Sequence, residues 1–173
     1  GDITAQLFDF TDDGFVDFAA FVHPEKGGEC TGAGNNNIWS HRYAISGWGT
    51  TAFSTNDAKN GGGVIQVDDY VIMPGFACDN STMIQIGVFS HEFGHAFGLP
   101  DLYDTDGANG DSEGLGNWCL MAGGSWGGDG NSPERPVHMS AWAKEYLGWL
   151  APTLVTSSLS PANILRVEDN KVA

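Results

Sequence analysis

The chain has 173 residues, of which 41% are hydrophobic, enough for one domain with a sizeable core and too many for a disordered segment. Seven basic against 22 acidic side chains leave a formal charge of −15, which disfavours nucleic acid and anionic membranes as partners and which bound calcium would partly offset. No stretch approaches the roughly 20 apolar residues of a membrane span, and the opening GDITAQLFDF lacks the basic and apolar regions of a signal peptide.

In chain order, FVDFAAFVH at 15–23 is rich in valine and aromatics and predicts a strand. Loops are expected at 27–37 and 47–63, where glycine, asparagine and threonine accumulate, with a short strand at 42–45 between them. VIQVDDYVIM at 64–73 predicts a second long strand. From Ser81 to Gly98 the pattern becomes helical, with Ser81 or Thr82 as the cap and Ile86, Phe89, Phe93 and Phe97 as a stripe expected to face the core. Residues 101–130 read as loop, and VHMSAWAKEYL at 137–147 as a helix stopped by Gly148, with Ser140 internal to it or at its start. The tail from Pro152 is polar and β-leaning, and no internal repeat is present.

The run HEFGHAFGLPD carries the chemistry. Residues four apart on a helix lie roughly 40° from each other around its axis, so His91 and His95 share a face and can hold one ion. Glu92 falls about 60° from His95, close enough for its carboxylate to take a proton from water at that ion. Gly98 can end the helix in a left-handed conformation and Pro100 discourages its continuation, so the chain turns back and offers Asp101 as a third ligand. Two imidazoles and one carboxylate suit hydrolytic zinc, which keeps a fourth position for water. The bland alternative is a buried helix carrying HExxH by chance; the extension through Gly98 and Asp101 opposes it.

Two acidic segments are candidate calcium sites. In DFTDDGFVD the residues Asp9, Thr11, Asp13 and Asp17 occupy positions one, three, five and nine of a calcium loop, with Gly14 at six and Phe15 offering its carbonyl; position twelve is Ala20, so the EF-hand pattern is incomplete. The alternative is an acidic Asp-Gly turn leading into a strand. In DTDGANGDSE, Asp104, Asp106, Asn109, Asp111 and Glu113 crowd hard oxygen donors together, and a solvated acidic loop is the competing reading. Cys30, Cys78 and Cys119 form no CxxC pair, which argues against a thiolate zinc site. One disulfide plus a free thiol and three buried thiols are both compatible with that count, and spacing does not say which two would pair. Trp39, Trp118, Trp126, Trp142 and Trp149 are expected to build the core and cleft walls.

Taken together, DGFVDFAAFVH (13–23), IWSHR (38–42), GVFSHEFGHAFGLPDLYD (87–104), NWCLMAGGSW (117–126) and PVHMSAWAKEYLGWL (136–150) resemble the secreted zinc metallopeptidases of the immune inhibitor A type. The resemblance implies His91, His95 and Asp101 as zinc ligands, Glu92 as general base, and Met121 in a methionine turn as in the broader metzincin group. The third ligand is Asp rather than the His of most metzincins, and no tyrosine stands two residues after Met121, so the oxyanion partner is unassigned between Tyr103 and His138. For His138 the favoured reading is a helix-start residue that merely packs, and His23 and His41 are read as packing residues in the same way.

The expectation is therefore an α/β (α+β), metzincin-like catalytic domain at 1–150 with a twisted mixed sheet, an active-site helix and a methionine turn. That domain is expected to lack its N-terminal portion, with 151–173 an extension or the start of a following β segment. Its expected work is extracellular cleavage of internal peptide bonds in protein or peptide substrates, with Zn²⁺ and Ca²⁺ bound and a pro-segment or further domains outside the chain. The competing class is a catalytically silent metal-binding module of a larger extracellular assembly.

Overall fold

A computed structural model describes residues 8–30 and 36–156. Part of the expected 27–37 loop and most of the expected C-terminal extension lie outside the described residues. The chain divides into two compact units, Gly1–Gly98 and Leu99–Ala173.

Among the described residues the first unit holds five strands and one helix: β1 (Ala19–Lys26), β2 (His41–Ala44), β3 (Phe53–Ala58), β4 (Val64–Val67), β5 (Asp69–Phe76) and α1 (Ile86–Ala96). β5 is the centre of a mixed sheet, with β1 parallel on one side and β2 antiparallel on the other. β3 and β4 form a separate antiparallel hairpin. The sheet is mixed as expected, but three boundaries differ from the sequence reading. The strand expected at 15–23 begins only at Ala19 and runs on to Lys26; Phe15 makes a single bridge to Gln66. The strand expected at 64–73 is two strands in different sheets. Asp68 separates them because its carboxylate accepts the Ser46 N–H and hydroxyl, both at 2.8 Å, and so belongs to the turn that follows β2. The stretch 47–63, expected as loop, contains β3, and its Lys59–Gly63 turn closes through three consecutive glycines with φ between +81° and +97°, a region glycine enters without a Cβ clash.

Ile65, Val71 and Met73 are fully buried in this unit, with Val16 and Val88 nearly so. Cys30 and Cys78 are joined in a disulfide and Cys119 is a free, buried thiol, which resolves the cysteine count.

The second unit is built mostly of turns, as the glycine-rich sequence leads one to expect. Short 3-10 turns occupy Gly116–Trp118 and Gly123–Trp126, and the helix is limited to α2 (Ala141–Tyr146). Ser140 begins that helix: its hydroxyl accepts the Ala143 N–H at 3.2 Å, so the preceding 137–140 cannot be helical, and Gly148 at φ +70° ends the following turn. Leu99, Cys119, Met121, Ala122 and Ala143 form the core, with Leu102, Met139 and Leu147 packed against it. The tryptophans are not among them, although Trp126 is half-buried. Trp118 is 90% exposed, and Trp142 and Trp149 are about half exposed, because small and sulfur-bearing side chains fill this core instead. In the first unit Trp39 is likewise half exposed. Among the described residues no helix is long and apolar enough to cross a membrane.

Candidate metal centre

α1 starts later than its sequence suggested. Asp79 accepts the backbone N–H groups of Ser81 (2.9 Å) and Thr82 (2.8 Å) and the Thr82 hydroxyl (2.5 Å), closing a turn of its own. The Thr82 hydroxyl and these amides hold the Asp79 carboxyl below the ordinary carboxylate range. Met83 then bridges Phe76, and the helix opens after Gln85 with no side-chain cap. Ser81 and Thr82 therefore belong to a turn rather than to the helix start.

The faces of α1 are also exchanged relative to expectation. Ile86 (60% exposed), Phe93 and Phe97 look outward, although Phe93 meets Phe18 with ring centroids 4.9 Å apart, and Phe89 of the same stripe is half-buried. The buried positions are Gly87, Val88, Glu92 and Gly94. Glycines on that side let the helix backbone approach its neighbours closely, so the side carrying small residues and the HExxH side chains is the one that packs.

At its C-terminal end, Gly98 adopts φ +89° and donates its N–H to the His95 carbonyl at 2.9 Å, the left-handed ending expected of it. Leu99 is buried, and Leu102 donates its N–H to the Met121 carbonyl at 2.7 Å, which fixes the backbone one residue beyond Asp101. Within this continuous stretch, ligand atoms of His91, His95 and Asp101 all lie within 4.8 Å of one another. The two imidazole rings stand nearly perpendicular, 88° apart, with centroids at 4.8 Å. Zinc bonds of about 2.0–2.1 Å in a tetrahedron need donors about 3.3 Å apart, a closure within reach of small side-chain rotations. Two imidazole nitrogens with one carboxylate oxygen are also a donor set that zinc accepts. The residues present fit the ion. Glu92, adjacent to His91, is 4% exposed.

The two acidic segments are arranged differently. Asp9 accepts the N–H groups of Asp13 (3.1 Å) and Gly14 (3.0 Å), Asp13 accepts that of Phe15 (2.9 Å), and Asp17 that of Phe10 (2.5 Å). The Lys59 stem lies against Gly14, where a Cβ would sit 2.5 Å from its Cδ. In the second segment Asp104 accepts the Asp106 N–H, and Asp106 accepts the Ala108 N–H and the Asn109 amide. These carboxylates close their own turns, and among the described residues neither segment brings three acidic ligand atoms together as His91, His95 and Asp101 are brought together. The remaining histidines have structural surroundings. His41 bonds the Trp39 carbonyl (2.8 Å) and the Tyr70 hydroxyl (3.0 Å), and His23 lies on β1 with Nε2 enclosed. Tyr103 and His138 are exposed, and the His138 carbonyl accepts the Leu120 N–H.

A helix presenting two histidines and a buried glutamate, followed by a glycine turn that returns an aspartate, defines a metallopeptidase-type centre. The chain belongs to the M6 peptidase family: residues 8–150 match the catalytic domain of immune inhibitor A peptidase M6. It is 38% identical over 138 residues to immune inhibitor A of Bacillus thuringiensis subsp. alesti, covering 78% of this chain and 19% of that protein. It is 34% identical, again over 138 residues, to the pre-pro-metalloprotease PrtV of Vibrio cholerae serotype O1 (strain M66-2), covering 78% of this chain and 14% of that protein. The chain thus spans less than a fifth of the length of these curated relatives.

Proposed function

We propose that this chain is the catalytic domain of a secreted zinc metalloendopeptidase, metzincin-like in architecture, occupying residues 1–150 with 151–173 as an extension. The observation that carries the reading is the convergence of His91, His95 and Asp101 beside the buried Glu92. Bound there, zinc would supply Lewis acidity toward the scissile carbonyl and toward the attacking water. His91 and His95 serve as neutral imidazoles and Asp101 as a carboxylate. Glu92 takes a proton from the attacking water and later delivers it to the departing amine, so the proton balance of peptide hydrolysis closes on one residue.

The Cys30–Cys78 disulfide supports secretion, since such bonds persist in oxidising compartments. Protein or peptide substrates follow from the family, and the charge of −15 opposes nucleic acid and anionic membranes. Calcium at Asp9, Thr11, Asp13, Phe15 and Asp17, and at Asp104, Asp106, Asp111 and Glu113, is a further part of the proposal. It rests on donor chemistry and requires these carboxylates to exchange backbone amides for the ion.

The test is metal content together with cleavage of an unstructured protein such as casein. One zinc per chain, with cleavage lowered at least about 10²-fold by Glu92→Ala and lost to chelation, is the expected result. Zinc retained without any wild-type cleavage would point to the silent structural module instead.

A further inference from the structure

We propose that the turn at 113–115 positions Asp101 for the metal, acting through Leu102, and that Gly114 is the residue that lets it do so. The inference rests on the reading of Asp101 as a zinc ligand and adds to it the part of the chain that keeps that ligand in place.

Leu102, the residue after Asp101, is held at both of its main-chain groups. Its N–H donates to the Met121 carbonyl (2.7 Å), and its carbonyl accepts the Leu115 N–H (2.9 Å). The first bond belongs to the peptide plane that also carries the Asp101 carbonyl, the second to the plane that follows, so both planes are fixed. On the other side of Asp101, Leu99 is buried and Pro100 restricts its own φ. Leu102 packs against the core that Leu99 and Met121 share. Asp101 therefore lies between anchored residues, and the direction of its side chain follows from theirs.

The Leu115 bond exists because position 114 has no side chain. A Cβ on Gly114 would fall well inside contact distance of the Leu102 oxygen, and would stand 2.8 Å from the Tyr103 Cα and 3.0 Å from the Leu102 carbonyl carbon. All of these are backbone atoms, which have no rotamer by which to move aside. A neighbouring glycine separates this steric demand from conformational preference. Gly116 has nearly the same left-handed φ, +48° against +56°, but a Cβ there meets only the Glu113 Cβ, at an ordinary 3.6 Å.

The acidic run from Asp104 to Glu113 thus departs next to Asp101 and returns at Leu115, so that Leu102 both closes this stretch and anchors the ligand. Supports of this kind around a metal ligand are typically worth about 10–100-fold in metal affinity, because donor distances must hold within about 0.2 Å.

The test is zinc affinity, by competition with a chromophoric chelator, in wild type, Gly114→Ala, Gly116→Ala, Asp101→Ala and the variant carrying both Gly114→Ala and Asp101→Ala. Gly114→Ala should weaken zinc binding about 10–100-fold, and Gly116→Ala should leave it within about twofold. With Asp101→Ala already present, adding Gly114→Ala should change affinity by less than about twofold, because the ligand it positions is gone; a merely structural effect would be as large in both backgrounds. Cobalt bound in place of zinc should show altered visible bands in Gly114→Ala and unaltered ones in Gly116→Ala, since these bands report the geometry of the donor set. A second measurement does not depend on a glycine variant folding. At saturating zinc, exchange of the Leu115 amide hydrogen should slow at least about tenfold in wild type and less than about twofold in Asp101→Ala, because a turn that aids metal binding is stabilised by the metal in return. Zinc binding that Gly114→Ala leaves unchanged, or weakens equally with and without Asp101, overturns the positioning role, as does a Leu115 amide indifferent to zinc. Zinc held as tightly by Asp101→Ala as by wild type overturns it too, by removing the metal reading on which it rests; zinc binding weakened by Asp101→Ala and not by Gly114→Ala overturns the positioning role alone.

Discussion

The metal segment and the two acidic loops are equally rich in ligand-type side chains, yet only the metal segment gathers three such donors to one point. The difference lies in what holds the backbone. In α1 the amides are bonded within the helix, so they do not draw on His91, Glu92 and His95 as acceptors, and these side chains project at angles the helix sets. In Asp9–Asp17 and Asp104–Glu113 no such ladder exists, and the carboxylates take the backbone amides themselves. A side chain that closes a turn must give up that bond before it can hold a cation.

The contrast can be broken or sharpened by substitution. The largest of these effects is expected at the turn between α1 and Asp101. Gly98→Ala places a Cβ on a residue at φ +89°, at a cost of about 1–2 kcal/mol. Zinc affinity should weaken with it, because Asp101 is displaced; chemical denaturation and chelator competition report the two effects separately. An unchanged affinity would mean that Asp101 is not positioned by this turn. Next, Asp9→Ala removes the acceptor of two amides and should lower stability by about 1 kcal/mol while leaving zinc binding as it was. A loss of bound zinc in that variant would contradict the separation of the two regions.

The smallest effect concerns pH. The hydrogen bonds from Thr82 and Ser81 hold the Asp79 carboxyl below its unfolded value, so the turn's contribution is present above about pH 4 and is lost as pH falls through the folded value. Asp79 is solvent-exposed, and the change should register as a local carboxyl titration displaced to acid in NMR rather than as a shift of the melting curve. Titration of Asp79 at an ordinary aspartate value would remove the account given for the delayed start of α1.

The same contrast explains what the sequence made legible. The spacing of His91, Glu92 and His95, the left-handed Gly98 and the return of Asp101 follow from helix geometry and glycine conformation, which are local. Ser81 and Thr82 look like helix caps because nothing in their own types reveals that Asp79 has already bound their amides. β3 is obscured because FSTNDA carries little apolar alternation, and its pairing with β4 is a tertiary matter. The aromatic stripe of α1 misleads for a related reason. Large side chains count heavily in a periodicity, but close packing here uses Gly87, Val88 and Gly94. Pairing of Cys30 with Cys78, 48 residues apart, likewise needed the fold.

The account turns on Asp101 as the third member of the metal group, and the most direct measurement is zinc stoichiometry and affinity in three proteins: wild type, Asp101→Ala, and Asp104→Ala as a nearby acidic control. We expect one zinc in the wild type, at least about a hundredfold weaker binding in Asp101→Ala, and wild-type behaviour in Asp104→Ala. Zinc bound as tightly by Asp101→Ala as by wild type, or no zinc bound by any of the three, would contradict it.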